Sequence, residues 1–363
     1  MNNKIPPHKS FAPSNKEKRL KPEKIKRKLK TIILAKIANT PLQFGLYRSY
    51  WHYKFRTNQA VAKQEIKRTH FLTQEPNHGA GIGHQLANWN SGLYFASFYN
   101  LKFAHSSFST DKWEHFLGFG EREMPATDLV KNKKFRVVRL PRFDSLNPDH
   151  IALVGRIIDS YNVPDVLFML EMDQGYMPQW DTYKTLSNKF FSARARHADE
   201  LIYSPDKFNI AVHVRRFMKN EVEQLWEKRG LDNSYYVNAL TKVLMVLKES
   251  KKAQVYLFSQ AKIDDFSEFE KFRNIHYCLE MGPMESFLHM VNADLLICSK
   301  SSFSYKPALI AKGVNVCPAT FWHNYPPDAN YILADDDGDF NEDQLSAQLQ
   351  SNKKLSFTYD HSQ

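Results

Sequence analysis

Two adjacent arginines, Arg215 and Arg216, close the run Phe208-Asn-Ile-Ala-Val-His-Val-Arg-Arg-Phe217. Each guanidinium is a planar fork of donors that stays charged, and a neighbouring pair suits a phosphate or diphosphate. In the stretch before them, Ile210, Val212 and Val214 are β-branched and the run is nearly continuously apolar, as in a strand covered on both faces. His213 and the arginines would then stand at the carboxyl end of that strand, where ligands of open α/β sheets bind. The alternative is a strand end capped by surface arginines.

A second constellation is Asn77-His-Gly-Ala-Gly-Ile-Gly-His-Gln-Leu86. Gly79, Gly81 and Gly83 alternate in a turn leading into a helix with Leu86, Leu93, Ala96 and Ser97 on its inward stripe. Such a loop lets backbone N–H groups approach an anion at a helix N-terminus, or is an ordinary tight turn. It is not the dinucleotide fingerprint, because His84 stands where the third glycine belongs.

Elements able to hold these residues follow from the pattern of the second half. The strand near 208–215 is followed by a helix at 234–249, a strand at 254–259 and a helix near 264–272. Then come a strand at 274–279, a helix at 283–291, a strand at 293–298, a helix at 302–312 and a strand at 314–317. Alternation at this spacing predicts βαβ units and a parallel, doubly wound sheet. The first half is α/β as well, with strands at 101–104, 135–140 and 166–170 and helices near 147–160 and 182–202. Pro205 marks a boundary. The expected organisation is a tail over 1–30, a helical segment over 31–70, α/β domains over 71–204 and 205–330, and a C-terminal segment over 331–363.

At 363 residues the chain is long enough for two domains. Its formal charge is +11. Residues 1–30 hold 11 Lys and Arg against 2 Asp and Glu, so most of the basicity belongs to a Pro-containing tail expected to be disordered. That tail suits an anionic membrane surface or plain solvation. Nucleic acid ranks last, because neither a reading motif nor interleaved aromatics accompany it. Thr31-Ile-Ile-Leu-Ala-Lys-Ile-Ala38 falls well short of the ~20 apolar residues of a membrane span and lacks the order of a signal peptide. Cys278, Cys298 and Cys317 have no Cys-x-x-Cys spacing, which argues against a disulfide framework or a zinc site. The expected location is cytoplasmic, with peripheral membrane contact through the tail.

Three ordered stretches carry a family resemblance. Gly79-Ala-Gly-Ile-Gly-His-Gln-Leu86 is similar to a G-x-G-x-x-x-Q-L segment, and Ala211-Val-His-Val-Arg-Arg216 to a His-x-Arg-Arg signature. Ala293-Asp-Leu-Leu-Ile-Cys-Ser-Lys-Ser-Ser-Phe303 is similar to a strand-turn-helix motif, and Val255-Tyr-Leu-Phe-Ser-Gln260 to the strand between them. Together the chain resembles the α1,2- and α1,6-fucosyltransferases that use GDP-fucose, over residues 77 to 317. The resemblance implies a GT-B-like fold, two Rossmann-like domains with the donor cleft between them. The N-terminal domain would serve the acceptor and the C-terminal domain the donor. It implies inverting transfer of fucose to a glycan hydroxyl without a metal or other cofactor, Arg215 neutralising the leaving diphosphate beside Arg216. His213, Ser259, Asp294, Ser301, Ser302 and Phe303 would surround the nucleotide, with Gly81, Gly83, His84 and Gln85 lining the cleft from the other side.

The sequence departs from the family at Met218, where an aspartate is usual, leaving room for another donor sugar or a non-catalytic relative. Glu223 and Glu221 fall where the α1,6 branch places a proposed base; either could instead be a surface glutamate. Asp335-Asp-Asp-Gly-Asp339 contains a formal D-x-D, but it is read as a solvated turn after the last strand, in a polar loop that does not follow a buried strand, and it fails EF-hand spacing. Trp322, His323 and Tyr325 suit either the cleft or the core. His78, His84, His105 and His115 lack metal-ligand spacing.

Overall fold

The computed structural model describes residues 40, 42–55, 69–174, 179–216, 230–248, 252–328 and 330–359. The basic tail, Phe217, Met218, Glu221 and Glu223 lie outside the described residues. The chain divides into two compact units, residues 1–46 and 47–363. Of the first, the described part contains one short helix, α1 (Leu42–Gly45).

The second unit opens with α2 (Arg48–Phe55) and carries two parallel sheets. The first has strands β1 (Phe71–Gln74), β2 (Lys102–His105), β3 (Met124–Pro125), β4 (Arg136–Arg139) and β5 (Val166–Leu170), in the order β3-β2-β1-β5-β4. The second has β6 (Phe208–His213), β7 (Ala253–Phe258), β8 (Ile275–Cys278), β9 (Leu295–Ile297), β10 (Val314–Pro318) and β11 (Tyr331–Ala334), in the order β11-β10-β9-β6-β7-β8. The remaining helices are α3 (Ile82–Phe98), α4 (Asp111–Leu117), α5 (Ala126–Lys131), α6 (Pro148–Asp159), α7 (Tyr183–Phe191), α8 (Asn233–Leu247), α9 (Pro283–Val291), α10 (Ser302–Ile310) and α11 (Glu342–Tyr359). The expected α/β architecture with two parallel sheets is therefore present. No helix among the described residues is long and apolar enough to cross a membrane.

The order of the second sheet, read from β8, is 3-2-1-4-5-6, the doubly wound arrangement. The chain leaves β6 toward β7 and β8, then returns across β6 to build β9, β10 and β11 on its other side. The carboxyl ends of β6 and β9 thus flank the crevice at which such sheets bind ligands.

Strand periodicity sorts β6 into two cores. Ile210, Val212 and Val214 are fully buried in one cluster with Tyr235, Tyr236, Leu240, Leu257 and Ile297, beneath α8 and α11. Ala211 lies in the other, which runs continuously from Ile82, Leu86 and Trp89 of α3 to Phe287 of α9 and Tyr305 of α10. Burying a side chain the size of Val or Leu stabilises by about 1.5–3 kcal/mol, so β6 is fixed in register from both faces.

Local caps set several helix starts. Asn147 accepts from Asp149 N (3.0 Å) and His150 N (3.3 Å) ahead of Pro148, and Ser301 accepts from Phe303 N (3.2 Å) at the start of α10. Three sequence expectations are corrected. The helix expected over 182–202 stops at Phe191, because Arg194 N turns to the Glu121 carboxylate (3.1 Å) and residues 194–198 form a 3₁₀ turn. The strand at 314–317 is not the last, since β11 pairs with β10 through Asn315–Tyr331 to Pro318–Ala334. The acidic loop at Asp335 therefore does follow a buried strand.

Candidate active site

A cavity of about 390 Å³ opens at the carboxyl ends of β6 and β9. The first half of the unit contributes Gly81, Ile82, Gly83 and His84 from the start of α3, and Trp113 from α4. The second half contributes the ends of β6 and β7, the start of α9, and the turn from β9 into α10.

Both arginines line the cavity just beyond the end of β6, and their partners distinguish them. His213 shares the parity of Ala211, and Arg215 continues it. Arg215 N donates to Ser299 Oγ (2.9 Å), and its guanidinium donates to Gln260 Oε1 at 3.4 Å, a long contact with an amide that is itself on the cavity wall. Arg216 has the parity of Val214. It contributes to the wall, but its guanidinium donates to Leu231 O (3.3 Å), Arg215 O (3.2 Å) and Asn233 Oδ1, and lies over Phe266. Its charge is spent fastening the end of β6 to the start of α8.

Ser299 joins the two strand ends. Its hydroxyl donates to His213 O, accepts from Arg215 N and meets Tyr236 Oη at 2.8 Å, while Ser299 N donates to Ser304 Oγ (3.1 Å). The loop that starts α10 is thereby tied to the loop that carries Arg215. Ser301 and Ser302 open α10 toward the cavity, and the early N–H groups of a helix carry its positive end. Lys300 also lines the cavity and is only 6% exposed.

His213 lines the same space, with its ring centroid 5.5 Å from that of Phe303. Burial, assisted by the charge of Arg215, pushes its pKa down to about 3, so the imidazole is neutral at ordinary pH. Its Nδ1 is buried and, among the described residues, has no hydrogen-bond partner. A buried ring nitrogen without a partner carries a desolvation cost that the surrounding fold must offset.

Most of the expected residues meet here: Gly81, Gly83, His84, His213, Arg215, Arg216, Ser259, Ser301, Ser302 and Phe303 all line the cavity. Two are placed elsewhere. Gln85 is buried in the scaffold, donating to Ala80 O (2.8 Å) and Ser109 Oγ (2.9 Å) and accepting from Ser109 N (2.8 Å). It pins the glycine loop without lining the cavity. Asp294 precedes β9 and accepts from Asn209 N (2.8 Å), at the amino ends of β6 and β9. Six residues of strand, about 20 Å, separate that level from Arg215. Its role is to lock two strands.

His323 and Tyr325 belong to packing, the His323 ring stacking on Tyr305 at 4.7 Å and Tyr325 meeting the Tyr305 ring at 5.4 Å, whereas Trp322 is 40% exposed and does not line the cavity. His105 is likewise structural, accepting from Trp89 Nε1 (2.9 Å) and contacting Glu114 (2.6 Å). Sequence reasoning did not single out Trp113, Gln260, Met281, Pro283, Ser286 or Lys300. Only Gln260 and Lys300 carry a signal, as polar residues in the loops that leave the buried strands β7 and β9.

Every ionisable side chain among the described lining residues is basic: Arg215, Arg216, Lys300 and the histidines, with no Asp or Glu. Among the described residues no group of three His, Cys, Asp or Glu side chains could hold a metal. The cavity is built for an anion with an aromatic or apolar part, the latter met by Trp113, Phe258, Met281, Pro283 and Phe303.

No protein-family model matches the sequence, and no curated protein sequence matches it. Among solved structures, the chain is similar to POFUT1 in complex with GDP-fucose, at 13% identity and a TM-score of 0.37, over 72% of this chain and 100% of that one. It is similar to the E. coli heptosyltransferase WaaC with ADP, at 11% identity and a TM-score of 0.37, over 80% and 99%. A third likeness is to the trehalose-6-phosphate synthase OtsA, at 10% identity and a TM-score of 0.29, over 87% and 75%. At such low identities and TM-scores, the functional reading rests on the cavity's own chemistry.

Proposed function

We propose that this protein is an inverting glycosyltransferase that binds a nucleoside-diphosphate sugar, GDP-fucose, and transfers its sugar to a hydroxyl of a glycan. The observation that carries the reading is the cavity at the β6–β9 switch point. Arg215 and the start of α10 converge there, and no described lining residue is acidic. In the proposed reaction a bond forms from the acceptor oxygen to the anomeric carbon as the bond from that carbon to the diphosphate breaks. Negative charge grows on the departing diphosphate, where a permanently charged guanidinium and helix N–H groups stabilise it most. Under this reading Arg215 and α10 do what a divalent cation does in other sites, and the donor binds without one. The acceptor proton passes to a carboxylate, with Glu223 first and Glu221 second by their offset from Arg215. The assignment of guanine and fucose is supported by the ordered sequence motifs and by nothing in the cavity's shape.

The test is ligand-induced stabilisation of the purified protein by GDP, GDP-fucose, UDP and UDP-sugars, each with and without EDTA. A ligand at 100 times its Kd raises stability by about 2.7 kcal/mol. Stabilisation by GDP and GDP-fucose that survives EDTA is expected. A response only to UDP compounds overturns the donor, and binding without turnover across an acceptor panel indicates a non-catalytic sugar-nucleotide binder.

A further inference from the structure

Lys300 is the cavity residue whose presence is hardest to explain on structural grounds. It stands immediately before the cap of α10, at the positive end of a nine-residue helix, on the same cavity wall as Arg215. A cation there is disfavoured by the helix dipole and by the neighbouring guanidinium, and burial adds a desolvation cost. A leucine or methionine would fill the space at lower cost. Such a concentration of like charge is stable when an anion completes it.

One carboxylate partly compensates. Lys300 Nζ lies 2.7 Å from Asp336 Oδ2, and Asp336 Oδ1 accepts from Thr320 Oγ1 (2.5 Å). Asp336 belongs to Asp335-Asp-Asp-Gly-Asp339, the loop read from sequence as a solvated turn. The loop is built to aim this residue. Asp335 Oδ1 accepts from Asp337 N (3.0 Å) and Asp339 N (2.8 Å), and Gly338 takes φ +82° where a β-carbon would lie 2.2 Å from Tyr235 O. The loop therefore lies against the start of α8 with only glycine tolerated at the contact. The Asp336 side chain remains 54% exposed, so it steadies the ammonium without burying a neutral pair.

We propose that Lys300 is a second phosphate-binding cation of this cavity, beside Arg215, and that the Asp335–Asp339 loop is its positioning device. The inference deepens the donor site proposed above and rests on that reading. It concerns the diphosphate alone, whatever the base or sugar.

The experiment measures the binding of inorganic pyrophosphate, GDP, UDP, ADP and guanosine by titration calorimetry to the full chain and to Lys300→Met, Lys300→Arg and Arg215→Ala. A double variant, Lys300→Met with Asp336→Asn, removes both charges and so leaves no orphaned carboxylate if the single variant folds poorly. Loss of Lys300 is expected to weaken pyrophosphate and the diphosphate that binds by about tenfold or more, with arginine restoring most of it and guanosine affinity unchanged. A merely structural lysine would shift all ligands together. Unchanged pyrophosphate and nucleotide binding in both methionine variants, alongside a loss in Arg215→Ala, overturns the role of Lys300 and leaves the donor site standing. Failure of the wild-type chain to bind any diphosphate overturns the site and Lys300 with it. Binding of ADP or UDP in place of GDP corrects the base without touching Lys300.

Discussion

Gly83 and Ser302 meet so closely that a β-carbon on Gly83 would lie 2.8 Å from the Ser302 β-carbon and 2.9 Å from its carbonyl atoms. Gly83 is in the first turn of α3, which leads out of the first sheet, and Ser302 opens α10 of the second. Two helix starts are thus pressed together on one cavity wall, and a glycine makes the approach possible. Glycine here is needed for closeness, since its φ is not in the left-handed region.

Gly83→Ala follows directly. In an exposed helix the change would stabilise by up to about 1 kcal/mol, but overpacking against backbone costs about 1–3 kcal/mol. The second effect wins because the clashing atoms include the Ser302 carbonyl, which cannot rotate away. Urea unfolding is expected to show a net loss, with weaker diphosphate binding as α10 is pushed aside.

Arg215→Ala is expected to leave the fold intact and to lower kcat/KM for transfer by about 10²–10³-fold or more, the scale seen when one donor to a developing anion is removed. Arg216→Ala should instead lower stability, since its guanidinium ties β6 to Leu231 and Asn233. Thermal unfolding alongside single-turnover rates separates the two arginines. Equal behaviour in both assays would contradict the division of labour read from their partners.

His213 makes stability depend on pH. Its folded pKa, about 3, lies below the ordinary 6.5, so below pH 6.5 the unfolded chain takes up a proton that the folded chain refuses. The stability linked to this group is full above pH 6.5 and is lost as pH falls toward 3. By pH 5 the loss is about 2 kcal/mol. Urea unfolding at pH 7 and pH 5 should show wild type losing that much more than His213→Gln, whose amide does not titrate.

Asp294→Ala should cost about 1–3 kcal/mol, because Asn209 N loses its acceptor in a largely buried place. Diphosphate affinity should not move, since the change is a strand length away from Arg215. A selective loss of nucleotide binding at unchanged stability would return Asp294 to the donor site.

The strands that hold the site are legible because β6, β7 and β9 are nearly continuous apolar runs buried on both faces. Their carboxyl ends can then be read directly from the order of residues, and His213, Arg215, Ser259 and Ser301, expected at those ends, line one cavity. Short or polar elements escaped. Phe71-Leu-Thr-Gln74 is too brief to show a period, and β11 is followed by acidic residues that read as surface. Asp294 was misplaced because its motif was matched as a block, although the two ends of a strand face opposite edges of a sheet. The link between Lys300 and Asp336 depends on β10 and β11 lying next in order to β9, which no local pattern reveals. Neither does local pattern reveal that the Arg216 guanidinium is held by Leu231 and Asn233 while that of Arg215 reaches Gln260; only the fold does.

The central place of β6 also bears on how the chain is made. Its neighbour β9 begins at Leu295, roughly 80 residues downstream, so at 5–20 residues per second β6 waits about 4–16 s for its second partner during synthesis. Throughout that interval the largely apolar run Ile210–Val214 presents an open edge to the ribosome exit and to neighbouring chains. The strand that carries the arginine is therefore also the segment most in need of protection before folding is complete.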